Sequence, residues 1–462
     1  MTDRSRLVAS VAALFAVGTI AWAAEPDVQQ DARIQELENK LAALETRQAA
    51  NSKDLAATVD AVLRDAEKRS QLLANGGEMG AGYDNGFYIK AGDAWVLKPG
   101  LQFQFRNITN YREDAKFGDD NEWSNGFEVR RMRFEFEGTA FIKELTYFFQ
   151  WDTNRNSGDV SLLEGWAKYM MSDDWGVRGG QFKDPTTREF TMSTKRLMAC
   201  DVSLMDTLIG GTFDGYTQGV LLVYGNYNKN NALNVEAGFT DGAGQYNTDF
   251  TKHTDDVFAV PGAHTVDWGL AGRAEYKFMG DWKNYSDFTA KGTKEDLLVA
   301  GLAGDWTQSG DGDMITGTTD LQYENASGLG LYGAVVYQYV NSSLQGFTQN
   351  SSNWGLLAQG SYLFTGNWEV FARYDATIYD NGPMFKQGGL STGDDVNTIN
   401  EITLGVNYYM GADGSAGHRA KFTVDLTYLP DGSPKPATSL GILDDNGGNA
   451  EWILRAQFQL LI

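Results

Sequence analysis

Along residues 98–462 apolar and polar side chains alternate with a period of two, which is what extended strands show when their two faces meet different surroundings. The stretch GFEVRRMRFEFEGTAF, residues 126–141, is the clearest case: Arg131, Arg133, Glu135 and Glu137 fall on one side, Met132, Phe134 and Phe136 on the other. Segment 367–381 sets Trp368, Val370, Tyr374 and Ile378 against Glu369, Arg373, Asp375 and Thr377, and segment 417–430 sets Phe422, Val424, Leu426 and Tyr428 against Lys421, Thr423 and Asp425. Sixteen strands are predicted in this way, near 98–111, 126–139, 144–155, 160–172, 175–184, 214–226, 231–241, 264–280, 293–306, 314–325, 328–341, 352–365, 367–381, 397–411, 417–430 and 449–462.

A soluble sheet buries its apolar face, whereas a membrane barrel turns that face to lipid and the charged one to a water-filled lumen. The connections favour the barrel. FIKE, SDD, NKNN, TGN and GADGSA are short and polar, while 112–125, 185–213, 241–263, 381–396 and 431–448 are long, and the two kinds alternate. Trp354 and Phe364 lie ten positions apart on one face, which at about 3.3 Å per residue and a tilt near 40° spans roughly 25 Å of membrane normal. The fold expected is therefore all-β, a 16-stranded antiparallel transmembrane β-barrel over 86–462. One connection, 281–292, is too long for the short set, and two, near 156–159 and 307–313, are short members of the long one.

Residues 27–75 follow another period. They lack aromatics and space Ile34, Leu37, Leu41 and Leu44 three and four apart, then resume at Leu55, Val59, Val62 and Ala66, as a helical coiled-coil segment does. A self-associating coil and an amphipathic helix folded back on its own chain both fit. The glycine-rich stretch 76–85 reads as a linker. Before the coil, an arginine-bearing start, an apolar core and the small-residue site AWAA mark 1–24 as an export signal.

Composition narrows the function classes. With 53 Gly, 8 Pro and 13% aromatics the chain suits many strands and turns better than a helical enzyme, and a net charge of −23 argues against a nucleic-acid partner. One cysteine, Cys200, permits no intrachain disulfide, so stability rests on hydrogen-bonded closure and packing. The three histidines, His253, His264 and His418, form no arrangement with a serine or cysteine that would serve catalysis, so no catalytic residue is assigned. No cofactor or metal site is expected either: the fragment SGDGDM is too short for a calcium loop.

The pairing of GFEVRRMRFEFEG with VRGGQFKDPTTREFTMSTKRLM, followed by about eleven more amphipathic strands, resembles the phosphate-selective porin O and P family over roughly residues 86–462. The resemblance implies passive diffusion of small hydrophilic solutes through trimers in the outer membrane, with basic residues lining an anion path. It implies a third long loop, here 185–213, folded into the lumen, and it likens 27–75 to the periplasmic helical extension of some relatives.

On alternation alone Arg106, Arg131 and Arg133 point into the lumen, and Lys183, Arg188, Lys195 and Arg196 bring cationic charge from the third loop. The resemblance adds Arg130 beside Arg131. Strict alternation lets only one of that pair face inward unless the strand bulges, and the pattern changes phase between Val129 and Met132. Two readings stay open: these cations form a track for inorganic anions such as phosphate, or they pair with Glu135, Glu137, Asp152 and Glu164 nearby. The partners expected are outer-membrane lipid, copies of the same chain and small polar solutes. A further class is an envelope tether, the coil binding the cell wall while the barrel anchors it; a barrel-borne hydrolase is the remaining alternative.

Overall fold

The computed structural model describes residues 79–462 except 84–85, 93, 113–121, 155–156, 211–214, 230, 243–265, 310–311, 345–346, 381–396, 434–439 and 441–448, together with 35–36, 38–42 and residue 64. The export signal, His253, His264 and most of the proposed coil, including Ile34, Leu37 and Leu44, lie outside the described residues. Within the first of two compact units, 1–76, the described residues are helical and Lys40 pairs with Glu36 at 2.6 Å, one turn apart.

The second unit, 77–462, is a single antiparallel sheet. It opens with a hairpin of β1 (Met79–Tyr83) and β2 (Phe87–Ala91). Sixteen strands then follow: β3 (Trp95–Arg112), β4 (Trp123–Ala140), β5 (Ile142–Thr153), β6 (Val160–Met170), β7 (Trp175–Lys183), β8 (Tyr216–Tyr224), β9 (Leu233–Thr240), β10 (Trp268–Met279), β11 (Leu297–Ser309), β12 (Gly312–Glu324), β13 (Leu329–Leu344), β14 (Phe347–Leu363), β15 (Trp368–Ile378), β16 (Thr398–Tyr409), β17 (Ala420–Leu429) and β18 (Glu451–Leu461). Each pairs with the next, and β18 pairs with β3 from Glu451↔Arg112 to Leu461↔Gln102, so these sixteen close on themselves. Closure satisfies the backbone of every strand and leaves no open edge, which is what a strand protein in lipid requires.

All sixteen predicted strands are present, displaced by a few residues at their ends. The hairpin was not foreseen: Met79–Tyr83 is a strand inside what reads as linker. It exists because β18 ends at Leu461, opposite Gln102, and leaves the start of β3 unpaired; β2 takes that edge through Ile89↔Leu97 and Ala91↔Trp95.

The two faces are as alternation requires. Met132, Phe134 and Phe136 are 36%, 40% and 38% exposed on the outside, while Arg131 and Arg133 are buried inside. Trp354, Phe364, Trp368, Tyr374, Phe422, Leu426, Trp452 and Leu454 are likewise exposed outward, forming an apolar exterior.

The interior departs from simple alternation. Val336, Leu357, Phe371, Ile399, Leu429 and Ile453 are apolar yet buried, and they pack with Leu197, Leu204, Met205 and Ile209 of the loop 184–215 in one hydrophobic cluster. The loop is therefore docked inside the barrel against the wall from β13 to β18. The segment 280–296, awkward as a short turn, also folds inward. Its 3-10 turn Trp282–Ser286 buries Trp282 and Tyr285, and Phe288 packs on Tyr332 with ring centroids 4.4 Å apart and planes tilted by 35°.

Candidate functional site

The described residues of the loop 184–215 form three short capped turns, and each cap is written in the local sequence. Thr187 accepts from the Phe190 amide and starts α1 (Arg188–Thr191); Ser193 caps the 3-10 turn Thr194–Arg196; Ser203 accepts from the Asp206 amide at 3.1 Å and starts α2 (Leu204–Ile209). The first amides of α2 lack partners within the helix, and the wall provides them. Leu204 N–H donates to Glu401 at 2.8 Å and Met205 N–H to Asp375 at 2.9 Å. Arg373 stands between, donating to Glu401 at 2.6 Å and to the Asp201 carbonyl at 2.9 Å.

Asp201 is the centre of the arrangement. Its fully buried carboxylate accepts from three guanidiniums: Arg106, Arg130 through Nε and Nη2 at 3.1–3.2 Å, and Arg131 at 2.6 Å. Burial alone raises the carboxyl, but Arg130, Arg131 and Arg106 outweigh it and hold Asp201 well below the usual carboxylate range. Arg130 and Arg131 both reach inward because the β3–β4 register jumps from Gln104↔Arg131 to Phe105↔Val129, leaving Arg130 as the extra residue of a bulge. The phase change between Val129 and Met132 is that bulge.

The other candidate cations are also engaged. Arg106 pairs additionally with Glu128; Arg133 pairs with Asp152 at 2.8 Å and donates to the Thr194 hydroxyl at 3.0 Å; Lys195 pairs with Glu135. Lys183 donates to the Phe190 and Met192 carbonyls at 3.0 and 2.7 Å, holding α1 against the root of the loop. Arg188 is buried, donates to the Tyr285 carbonyl and lies 4.1 Å from the Tyr285 ring centroid. Arg196 is the most open, its side chain 45% exposed, with Asp287 at 3.3 Å and the Ser286 hydroxyl at 2.8 Å. Glu135 and Asp152 are thus partners of cations, while Glu164 accepts from Trp166 Nε1 at 3.3 Å.

Below the loop, on the side of the short turns, lies a cavity of about 1440 Å³ lined by Lys98, Glu137, Glu164, Lys195, Arg196 and Lys291 among others. Loop and wall carry opposite charges through most of this region, so together they form an interlocked network and not a row of free cations. In two loop carboxyls burial outweighs what opposes it: the Thr186 hydrogen bonds at Asp184, and Thr187, Lys183 and Arg373 at Asp206. Burial, with the neighbouring Glu189, pushes Asp206 up to about 8, and burial pushes Asp184 up to about 6.

Asp201 and Glu401 were not singled out from sequence; Arg373 and Asp375 were read only as members of a polar strand face, and 281–292 only as an overlong connection. The Ser203-to-Asp206 spacing signals a helix start, but nothing local says which wall strand faces it.

No family model matches the chain, and no curated protein matches it in sequence. Among solved structures it is similar to the anion-selective porin from Comamonas acidovorans, at 13% identity over 79% of this chain and 99% of that one, with a TM-score of 0.56. Weaker similarities are to OprB of Pseudomonas putida, at 10% identity over 79% and 94% with a TM-score of 0.49, and to the outer membrane channel DcaP of Acinetobacter baumannii, at 13% over 79% and 97% with a TM-score of 0.48. At such identities the likeness is one of fold, and the first of the three carries it: the chain has the closed barrel of a solved porin.

Proposed function

We propose that this protein is an outer-membrane porin through which small hydrophilic solutes diffuse passively, the loop 184–215 forming its constriction. The observation that carries this is a closed sixteen-strand barrel with an apolar exterior whose long third loop is locked inside by Asp201 and three wall arginines. The exterior has no place in water, and lipid is the environment that satisfies it. Homotrimeric assembly and a periplasmic coil over 27–75 belong to this reading through the resemblance stated above.

Ion preference follows from what the network leaves over. On the β3–β4 wall Arg106, Arg130 and Arg131 bring three positive charges against Asp201 and Glu128, a surplus of one, the Arg133–Asp152 and Lys195–Glu135 pairs cancel, and on the opposite wall Arg373 faces Glu189, Asp375 and Glu401. Asp375 and Glu401 are taken up by the α2 amides, so the expected selectivity is weak and on the anion side, with phosphate as one candidate ion.

Planar-bilayer recording of the purified protein tests both parts. Discrete conductance with a modest anion-side reversal potential in a chloride gradient is expected, and a phosphate titration then asks for block. Absence of conductance from a folded barrel rejects the pore and leaves the envelope tether.

A further inference from the structure

The charge network accounts for most of the polar lumen wall and touches one of two aromatic rings in it, the Arg178 guanidinium lying 5.5 Å from the Trp166 ring centroid, but it leaves the pairing of those rings unexplained. Phe148 on β5 and Trp166 on β6 are register partners facing the lumen, with ring centroids 5.7 Å apart and planes 30° from parallel. Both are half-buried and line the 1440 Å³ cavity beneath the loop, which among the described residues also meets Tyr83 and Phe87 of the β1–β2 hairpin. Half-exposed aromatic surface in a water-filled passage is unfavourable, and elsewhere on these strands the aromatics, such as Phe149, face outward.

The surroundings of the pair are hydrogen-bonding groups with capacity to spare. Glu164 takes one bond, from Trp166 Nε1, and Glu137 is exposed, with Lys98 as its cross-strand neighbour and no ion pair among the described residues. The loop adds the Ser193 hydroxyl to the same cavity, its oxygen accepting from the Lys195 amide and its proton still to give, while the Thr194 hydroxyl beside it is taken up by Gln102 and Arg133. A flat aromatic surface edged by carboxylates and a hydroxyl has the chemistry that holds a sugar ring. The ring's C–H face lies on the electron-rich aromatic face, and its hydroxyls donate to carboxylate oxygens. A small inorganic anion would gain nothing from either.

We propose that Phe148 and Trp166 form a stacking platform for neutral sugars, a binding subsite on the solute path below the constriction. This rests on the reading of the barrel as a pore. A solute held briefly there occupies the passage, so sugar binding is read as interruption of ion current.

The test is current through the wild-type pore in a planar bilayer with glucose, maltose or maltotriose added, against polyethylene glycol of matched size, which has no ring face. Saturable block by the sugars and none by the glycol is expected. Trp166→Ala and Phe148→Ala should each weaken the block roughly 2- to 10-fold, and Trp166→Phe should retain most of it. Heat-modifiable migration in detergent confirms that each variant is a folded barrel. Conductance without saturable sugar block, or block unchanged in Trp166→Ala, overturns the subsite while leaving the pore standing. No conductance in the wild type overturns the pore itself.

Discussion

One carboxylate, Asp201, decides how three arginines behave. In its absence Arg106, Arg130 and Arg131 would stand as like charges within one buried patch, each lacking its strongest acceptor. Asp201→Asn removes the charge while keeping the size, and it should cost about 3 to 5 kcal/mol of loop docking, the scale for breaking a buried pair. In recordings the variant should be noisier and more anion-selective than wild type; an unchanged reversal potential would show that the guanidiniums do not face the ion path. The arginines were legible in the sequence and so was the bulge that turns Arg130 inward, because both leave a mark on alternation. Asp201 was not, since an acidic residue in a polar loop carries no local sign of its partners.

At the scale of elements, the two faces of β4 and the docking of the loop make separate predictions. Phe134→Arg should destabilise the barrel by about 2 to 4 kcal/mol if Phe134 lies near the bilayer midplane, whereas Glu135→Gln should do little to barrel stability; chemical denaturation in lipid measures both, and the reverse order would invert the assignment of faces. On the opposite wall α2 rests against Gly355, where an added Cβ would lie 2.6 Å from Met205 Sδ and 2.9 Å from Ile209 Cδ1. Gly355→Val should therefore lift α2 and raise conductance, with the barrel still heat-modifiable; conductance equal to wild type would mean that the loop yields without opening the path. The loop also carries a pH dependence. Burial raises Asp206 to about 8 and Asp184 to about 6, above their ordinary value of 3.8, so both hold protons in the docked loop and release them when it leaves. Docking is then strongest at acid pH, weakens as pH rises past the ordinary carboxyl value, and has lost the contribution of Asp206 once pH passes about 8. Protease nicking of the loop should be faster at pH 8 than at pH 5, and Asp206→Asn should flatten that difference; faster nicking at the lower pH would contradict it.

For the whole molecule, closure of β18 on β3 makes the barrel complete without residues before 79. Deleting 27–75 from the mature protein should leave single-channel conductance unchanged while changing any attachment to other envelope layers; loss of conductance would place the coil inside the pore's assembly. Strand number, the alternation of short and long connections and the lipid and lumen faces were set by the sequence alone, because each is a local pattern: a period of two needs only neighbours along the chain, and a one-residue slip would exchange the faces. What the tertiary structure decided is how the lumen is filled. Val336, Phe371, Ile399, Leu429 and Ile453 are apolar residues at inward positions, which alternation counts as errors until the loop 184–215 brings Leu204, Met205 and Ile209 to cover them. Asp375 and Glu401 read as ordinary lumen acids until the first amides of α2 arrive at 2.9 and 2.8 Å. Those contacts join residues some 170 to 200 positions apart, and a side chain's partner at that distance is fixed by the path of the folded backbone, which no local pattern of hydrophobicity or charge encodes.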